Sequence, residues 1–305
     1  MILDKSSVPV ETVNFHLWQP CNMSCGFCFA AFRDVRRTVL PEGHLSRADA
    51  ESVVVKLAEA GFRKITFAGG EPLLCPWIAD LVRLASEMGL ATSLVTNGSL
   101  LDDGVIDRLR GTLDWVTISI DSLKPPVLQV LGRRTAGRVI DGHGYRMLCH
   151  NVKTSGFRLK VNTVVTSVNW REDMSEFIIE SRPERWKIFQ VLPVQGQNSA
   201  KVGPLLVTPE QFEAFVARNL RVELHDIHVV PENNDAMTGS YAMVDPAGRF
   251  FDAVDPHGYT YSDSILQVGV AAAISQIVIS REKFLARGGL YGDALFDAAD
   301  PAGVR

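Results

Sequence analysis

Three cysteines, Cys21, Cys25 and Cys28, fall within eight residues directly after the apolar run Val13–Trp18. Thiolates are the usual ligands of iron–sulfur clusters, and a four-iron cluster needs four ligands. Three protein ligands leave one iron for a small molecule, so the spacing points to a [4Fe-4S] cluster that works on a bound cofactor. Gly26 suits a loop that wraps tightly and needs an unusual dihedral or a close approach. A structural zinc knot, completed by His16 or His44, is the other reading; such knots usually pair their cysteines as two short clips, and no second clip is present. Cys75 and Cys149 stand apart and read as small buried apolar residues.

A second chemistry is carried by cations in apolar segments. Lys160 and Asn162 lie two apart, as do Arg185 and Lys187, so within a strand each pair points to one face. Lys64 shares the same parity on an earlier strand. Inward cations with no anion to meet are costly. Cations placed in this way would suit an anionic ligand.

These residues need elements to hold them. Strands are predicted over 13–18, 63–68, 91–96, 115–120, 157–165 and 185–191, with helices over 47–60, 77–88, 102–109, within 137–155, and around 173–179. Ser46 reads as an N-cap, Gly61 as a helix stop, and Pro72 as a helix start. Six β/α units follow one another, which makes an open parallel sheet or a barrel, with the ligand at the carboxyl ends of the strands. The punctuation agrees: the cysteines follow the first strand, Gly69-Gly70-Glu71 the second, Thr96-Asn97-Gly98-Ser99 the third, and Asp121-Ser122 the fourth. From about Gln195 the rhythm is lost. A helix begins at Thr208-Pro209, and 195–305 reads as an extension that closes the substrate site, after a flexible 1–11 and a barrel over 12–194; residues 298–305 look frayed.

The 305 residues are 46% hydrophobic, enough for one large core. A net charge of −4 disfavours a broad surface for nucleic acid or acidic lipid. Five cysteines, three of them clustered, do not form a secreted disulfide framework, and neither a signal peptide nor a membrane-length apolar run is apparent. The expectation is a soluble cytoplasmic protein.

The triad with Gly69-Gly70-Glu71 resembles the radical S-adenosylmethionine superfamily. Within it, Val13-Asn14-Phe15-His16, Cys25-Gly26-Phe27-Cys28-Phe29, Ser119-Ile120-Asp121-Ser122, Arg185–Gln190 and Arg287-Gly288-Gly289-Leu290-Tyr291 are similar to viperin and its prokaryotic relatives, over roughly 12–292. The resemblance implies an α/β fold, a partial (β/α)6 TIM-like barrel with a C-terminal extension. It implies an enzyme that forms a 5′-deoxyadenosyl radical and takes the C4′ hydrogen of a ribonucleoside triphosphate, CTP favoured, UTP or GTP possible. Loss of water then gives the 3′-deoxy-3′,4′-didehydro analogue, a chain-terminating antiviral nucleotide.

On the same resemblance Cys21, Cys25 and Cys28 hold the cluster, while Gly69, Gly70, Glu71, Thr96, Asn97, Ser119 and Arg133 hold S-adenosylmethionine. Asn14, Lys64, Lys160, Asn162, Arg185, Lys187 and Tyr241 bind substrate, with Tyr241 the catalytic candidate; a flavodoxin or ferredoxin supplies the electron. The animal proteins carry a basic segment where this chain has the acidic loop Asp252–Ser264, and the expected amphipathic start and terminal tryptophan are not apparent. A nucleotide sugar or peptide as substrate, or a redox sensor without turnover, are the competing readings.

Overall fold

Residues 8–290 are described by the structure, a computed structural model; Tyr291, the stretch 298–305 expected to fray, and residues 1–7 of the segment expected to be flexible lie outside the described residues. Period-two alternation builds the first strand, β1 (Thr12–Trp18). Val13, Phe15 and Leu17 enter the main apolar core, and Thr12, Asn14 and His16 line a cavity on the opposite face. The strands β2 (Lys64–Gly69), β3 (Ala91–Thr96), β4 (Trp115–Ser119), β5 (Arg158–Val165) and β6 (Arg185–Gln190) follow in parallel, each end within one residue of its expected position.

Beyond residue 195 the order does not stop at six units. A capping box at Thr208 and Gln211 starts the helix Pro209–Asn219, which leads into β7 (His228–Glu232), parallel to β6. The chain then crosses to the other edge, where β8 (Ala242–Val244) pairs parallel with β1 and β9 (Arg249–Asp252) and β10 (Thr260–Ser264) add antiparallel. The ten described strands run β10-β9-β8-β1-β2-β3-β4-β5-β6-β7. The long stretch of short turns between β6 and Thr208 masks this continuation in the sequence, because it carries no extended helical period.

Helices cover the outer face. Ser46 accepts the Asp49 N–H at 3.2 Å and caps Arg47–Glu59, which buries Val53, Val54 and Leu57; Ile78–Glu87 buries Leu81, Val82 and Ala85 beside it. Each such Val or Leu side chain contributes about 1.5–3 kcal/mol on leaving water. Cys75 and Cys149 lie in this core, as expected. Within residues 12–194 two helices are additional to the expected set: Arg33–Thr38 after the cysteines, and Pro125–Leu131, begun by its prolines. Pro72 opens only a short 3₁₀ turn, Pro72–Leu74. Among the described residues no helix is long and apolar enough to cross a membrane.

Candidate active site

One cavity of about 290 Å³ runs along the inner face of the sheet, with all three triad cysteines in its wall. The loop that carries them is clipped to the turn after Pro125–Leu131: Ser24 N–H donates to the Gly132 carbonyl at 3.3 Å and Gly26 N–H to the Leu131 carbonyl at 3.0 Å. Gly132 sits at φ 78°, and a Cβ there would fall 2.4 Å from the Ser24 carbonyl oxygen. Gly26 needs no left-handed backbone; a Cβ on it would press on Leu205 Cδ1 at 3.1 Å, so close approach is its reason.

Burial pushes the Cys21 thiol up to about 11 and the Cys28 thiol up to about 12, and raises Cys25 with Arg133 opposing. Three neighbouring thiols, Cys21 exposed and Cys25 and Cys28 half-buried, whose protons a metal would draw off, fit a cluster. Among the described residues no group of three His, Cys, Asp or Glu side chains is arranged to hold a single metal ion. His44 instead stacks on Trp18, ring centroids 3.8 Å apart.

At the end of β2, Gly69 and Gly70 admit the backbone that leads into the cysteine loop. A Cβ at Gly69 would lie 2.4 Å from the Trp18 carbonyl oxygen, and one at Gly70 2.2 Å from that of Gln19. Glu71 is buried outside the cavity wall, where its carboxylate accepts from Thr96 Oγ1 at 2.7 Å, Asn97 N at 2.8 Å and Leu73 N at 3.1 Å. It braces β2 against β3. Thr96 and Asn97 do line the cavity, and Asn97 Nδ2 reaches Asn22 Oδ1 at 2.9 Å within the cysteine loop.

Arg133 lies buried between Asp121 and Cys25. Its Nε stands 3.0 Å from Asp121 Oδ2, Nη2 donates to the Ser119 carbonyl, and Nη1 lies 4.0 Å from Cys25 Sγ. Burial would lower the guanidinium, yet Asp121, Tyr145 and Cys25 together outweigh it and hold Arg133 well above its ordinary value. Ser119, Asp121 and Arg133 all line the cavity. Arg133 therefore arrives at its site already paired with Asp121.

The opposite end of the cavity is cationic. Lys64, Lys160, Asn162, Lys187, Tyr241 and Arg287 share its wall. Lys64 opens β2, and Lys160 and Lys187 are the third residues of β5 and β6, so these groups come from the amino-terminal half of the strands and not from a carboxyl-end mouth. From Lys64 to Gly69 is five strand steps, ~17 Å. Lys187 Nζ donates to Tyr241 Oη at 2.7 Å and pairs with Glu232 on β7, while Tyr241 Oη also donates to Glu232. Burial lowers Lys187 to about 7, with Glu232 opposing. Burial raises Glu232, but Lys187 and Arg287 outweigh it and hold the carboxyl below its ordinary value. The Arg287 guanidinium carbon lies 3.5 Å from the Tyr241 ring centroid.

Arg185 departs from expectation. It is not in the cavity wall; its Nη2 donates to the carbonyls of Arg287, at 3.0 Å, and Gly288, at 2.8 Å. It shares a strand face with Lys187 but lies at the strand's very start, where the returning C-terminal segment covers it. Glu232 and Arg287 went unassigned in the sequence: the first lies on the strand hidden behind the loss of rhythm, although its parity with Val230 was readable, and the second was noted only within a family motif.

Asn14 and His16 line the cavity from β1. His16 is buried, held at about 4 by that burial, and packs edge-on against Phe29, Phe32 and Phe251 with neither ring nitrogen hydrogen-bonded. A neutral imidazole offers one donor and one acceptor. Its parity with Asn14 was the signal that could have marked it.

The acidic loop is partly strand, since β10 takes its second half. Ala253 and Tyr259 reach the cavity, whereas Asp255 and Asp263 are exposed, and Asp263 meets Gln276 Nε2 at 3.1 Å. Asp263→Lys is therefore expected to leave nucleotide affinity within about twofold at 0.15 M salt, where the Debye length is ~8 Å. A tenfold tightening by calorimetry would put that side chain beside the ligand.

The Radical SAM superfamily model matches residues 18–177. A protein of Flammeovirga pacifica named S-adenosylmethionine-dependent nucleotide dehydratase is 46% identical over 282 residues, 92% of this chain and 96% of that one. Another of that name, from Lacinutrix mariniflava, is 46% identical over 284 residues, covering 92% of this chain and 58% of its own length. Among solved structures, native anSMEcpe with bound AdoMet and Kp18Cys peptide aligns with a TM-score of 0.67 at 16% identity, over 90% of this chain and 82% of that one, a likeness of fold.

Proposed function

This chain belongs to the radical S-adenosylmethionine superfamily and, within it, to the S-adenosylmethionine-dependent nucleotide dehydratases, enzymes that use a [4Fe-4S] cluster and S-adenosylmethionine; on that premise we propose what it acts on and how. The substrate is a ribonucleoside triphosphate, CTP first, with UTP and GTP as the other candidates. The product is the 3′-deoxy-3′,4′-didehydro nucleotide, a chain terminator suited to antiviral defence. The enzyme works in the cytoplasm on free nucleotide and takes its electron from a flavodoxin or ferredoxin. What carries the reading is one cavity with three cysteines at one end and Lys64, Lys160, Lys187 and Arg287 at the other.

Cys21, Cys25 and Cys28 would hold the cluster, which together with S-adenosylmethionine would supply the radical chemistry at C4′. The chain's own work is to bind and orient. Gly69, Gly70, Thr96, Asn97 and Ser119 form the wall for the cofactor, with Glu71 locking Thr96 and Asn97 in place from behind. Arg133 keeps N–H capacity beyond its bond to Asp121 for the methionine carboxylate. Lys64, Lys160, Asn162, Lys187 and Arg287 receive the triphosphate, and Arg185 seats Arg287 by holding its carbonyl. Tyr241, fixed between Lys187, Glu232 and Arg287, closes over the sugar, and Asn14 and His16 face the nucleoside. Anaerobic turnover of each of the four ribonucleoside triphosphates with S-adenosylmethionine and dithionite, read by mass for loss of water, tests the proposal. Formation of 5′-deoxyadenosine with no dehydrated nucleotide from any of the four would refute it.

Two further outcomes are expected. With Lys187 near 7 in the free enzyme, part of the population is neutral at pH 8. A triphosphate favours the charged form and raises that pKa, so binding takes up protons and affinity falls as pH rises above 7. Calorimetry at pH 8 in buffers of different ionisation enthalpy should show net uptake; net release would remove Lys187 from the contact. His16→Phe keeps the edge-on packing and deletes both polar atoms. The kcat/KM for the preferred nucleotide is expected to fall roughly 10–100-fold, as for an unmet hydrogen bond of about 1–3 kcal/mol, with cluster absorbance unchanged. Undiminished kcat/KM would show that His16 meets no substrate atom.

A further inference from the structure

Directly after the cysteine loop, the helix Arg33–Thr38 turns Arg33, Arg36 and Arg37 to solvent. Among the described residues none of the three has a carboxylate partner: Arg36 Nε reaches the Pro41 carbonyl at 3.4 Å and Arg37 Nε that of Arg33 at 3.3 Å. The one carboxylate on the helix faces inward, with Asp34 accepting from Tyr261 Oη at 2.6 Å and Gln197 Nε2 at 2.9 Å. Gln197 also receives the Phe32 N–H at 2.8 Å, where the chain turns into the helix at φ 45°. On the inner side Phe32 and Val35 pack in the same apolar cluster as Cys28. The helix is thus pinned from within, rests on a cluster ligand, and displays three uncompensated positive charges on a chain of net charge −4. Exposed Phe29 and Val39 flank it.

We propose that this face is where the electron donor docks, the partner being an acidic protein that carries a flavin or an iron–sulfur centre ringed by carboxylates. The inference rests on the reading of Cys21, Cys25 and Cys28 as cluster ligands. A carrier seated on the helix stands about one helix width, ~10 Å, from Cys28. One electron leaves the reduced carrier, which is oxidised by one electron, and enters the cluster, which is reduced by one; no bond, proton or group is transferred. Opposite charge steers the encounter and sets its orientation, and the apolar flank supplies contact area.

The test uses reconstituted holoenzyme, its cluster absorbance read first, because absence of that absorbance in the unaltered protein would fail the cofactor reading and not the docking one. Oxidised flavodoxin is then titrated calorimetrically at low and moderate salt. The triple variant Arg33→Glu, Arg36→Glu, Arg37→Glu is expected to weaken binding roughly tenfold or more and to flatten its salt dependence. Dithionite-driven cleavage of S-adenosylmethionine should stay at the unaltered level. Equal affinity in the two proteins would overturn the proposal. A parallel fall in dithionite-driven cleavage would also overturn it, since the arginines would then serve the cluster. Binding of RNA or anionic vesicles by the unaltered protein, with flavodoxin left unbound, would do the same.

Discussion

Cys25→Ala is expected to give a folded protein that holds no intact four-iron cluster and makes no 5′-deoxyadenosine. Cys25 sits half-buried in a loop, against Leu131 and Phe27, and not in the main core. Its loss there should cost about 1 kcal/mol or less, in line with ordinary non-core substitutions. The loop keeps its backbone bonds to Leu131 and Gly132, so the other two thiols remain in position. Two thiolates do not retain a cubane that already lacks one protein ligand. Absorbance near ~400 nm and iron content, read beside the thermal midpoint, check the result. Full iron with undiminished 5′-deoxyadenosine would remove the assignment on which the functional reading stands.

Lys187→Ala should abolish the stimulation of S-adenosylmethionine cleavage by nucleotide, raising the apparent Kd roughly 10–100-fold through loss of a charged contact of about 1.5–3 kcal/mol. It should also destabilise the fold, because Glu232 is fully buried and would be left as an unpaired carboxylate beside Tyr241. Breaking such a pair from one side costs about 3–5 kcal/mol, whereas replacing both partners with neutral groups of similar size is often close to neutral. The double variant Lys187→Met, Glu232→Gln is therefore expected to regain most of the lost stability and none of the lost affinity. Recovery of nucleotide binding in the double variant would mean that Lys187 serves only to neutralise Glu232. Arg185→Ala should weaken binding by another route, by releasing the carbonyls that seat Arg287.

The cysteine end of the site was legible because its ligands are local: three thiols on one loop declare themselves by spacing alone. The inward parity of Lys160, Asn162 and Lys187 was legible for the same reason, since side chains two apart share a strand face. Arg185 shows where parity stops informing, because the same face that meets ligand at the third residue meets protein backbone at the first. Glu232 and Arg287 reach the site through contacts across 45 and 102 residues, from Glu232 to Lys187 and from Arg287 to Arg185, and no local pattern encodes such a meeting. The strands were placed well because a parallel sheet covered by helices imposes one period after another. The seventh strand escaped because the segment before it folds through long-range bonds, such as that of Asn198 Nδ2 to the Phe27 carbonyl at 2.9 Å.

The sheet takes both of its outermost regions from the last third of the chain, β7 at one side and β8 to β10 at the other. On a translating ribosome this fixes a schedule. Strands β1 to β6 can pair as they emerge, but β1, with its apolar Val13, Phe15 and Leu17, keeps an open hydrogen-bonding margin until some 220 further residues have been made and β8 arrives. An unfinished margin of that kind is a template for pairing with a neighbouring nascent chain. Messages interrupted ahead of β8 would accordingly yield aggregates in place of a partly working enzyme.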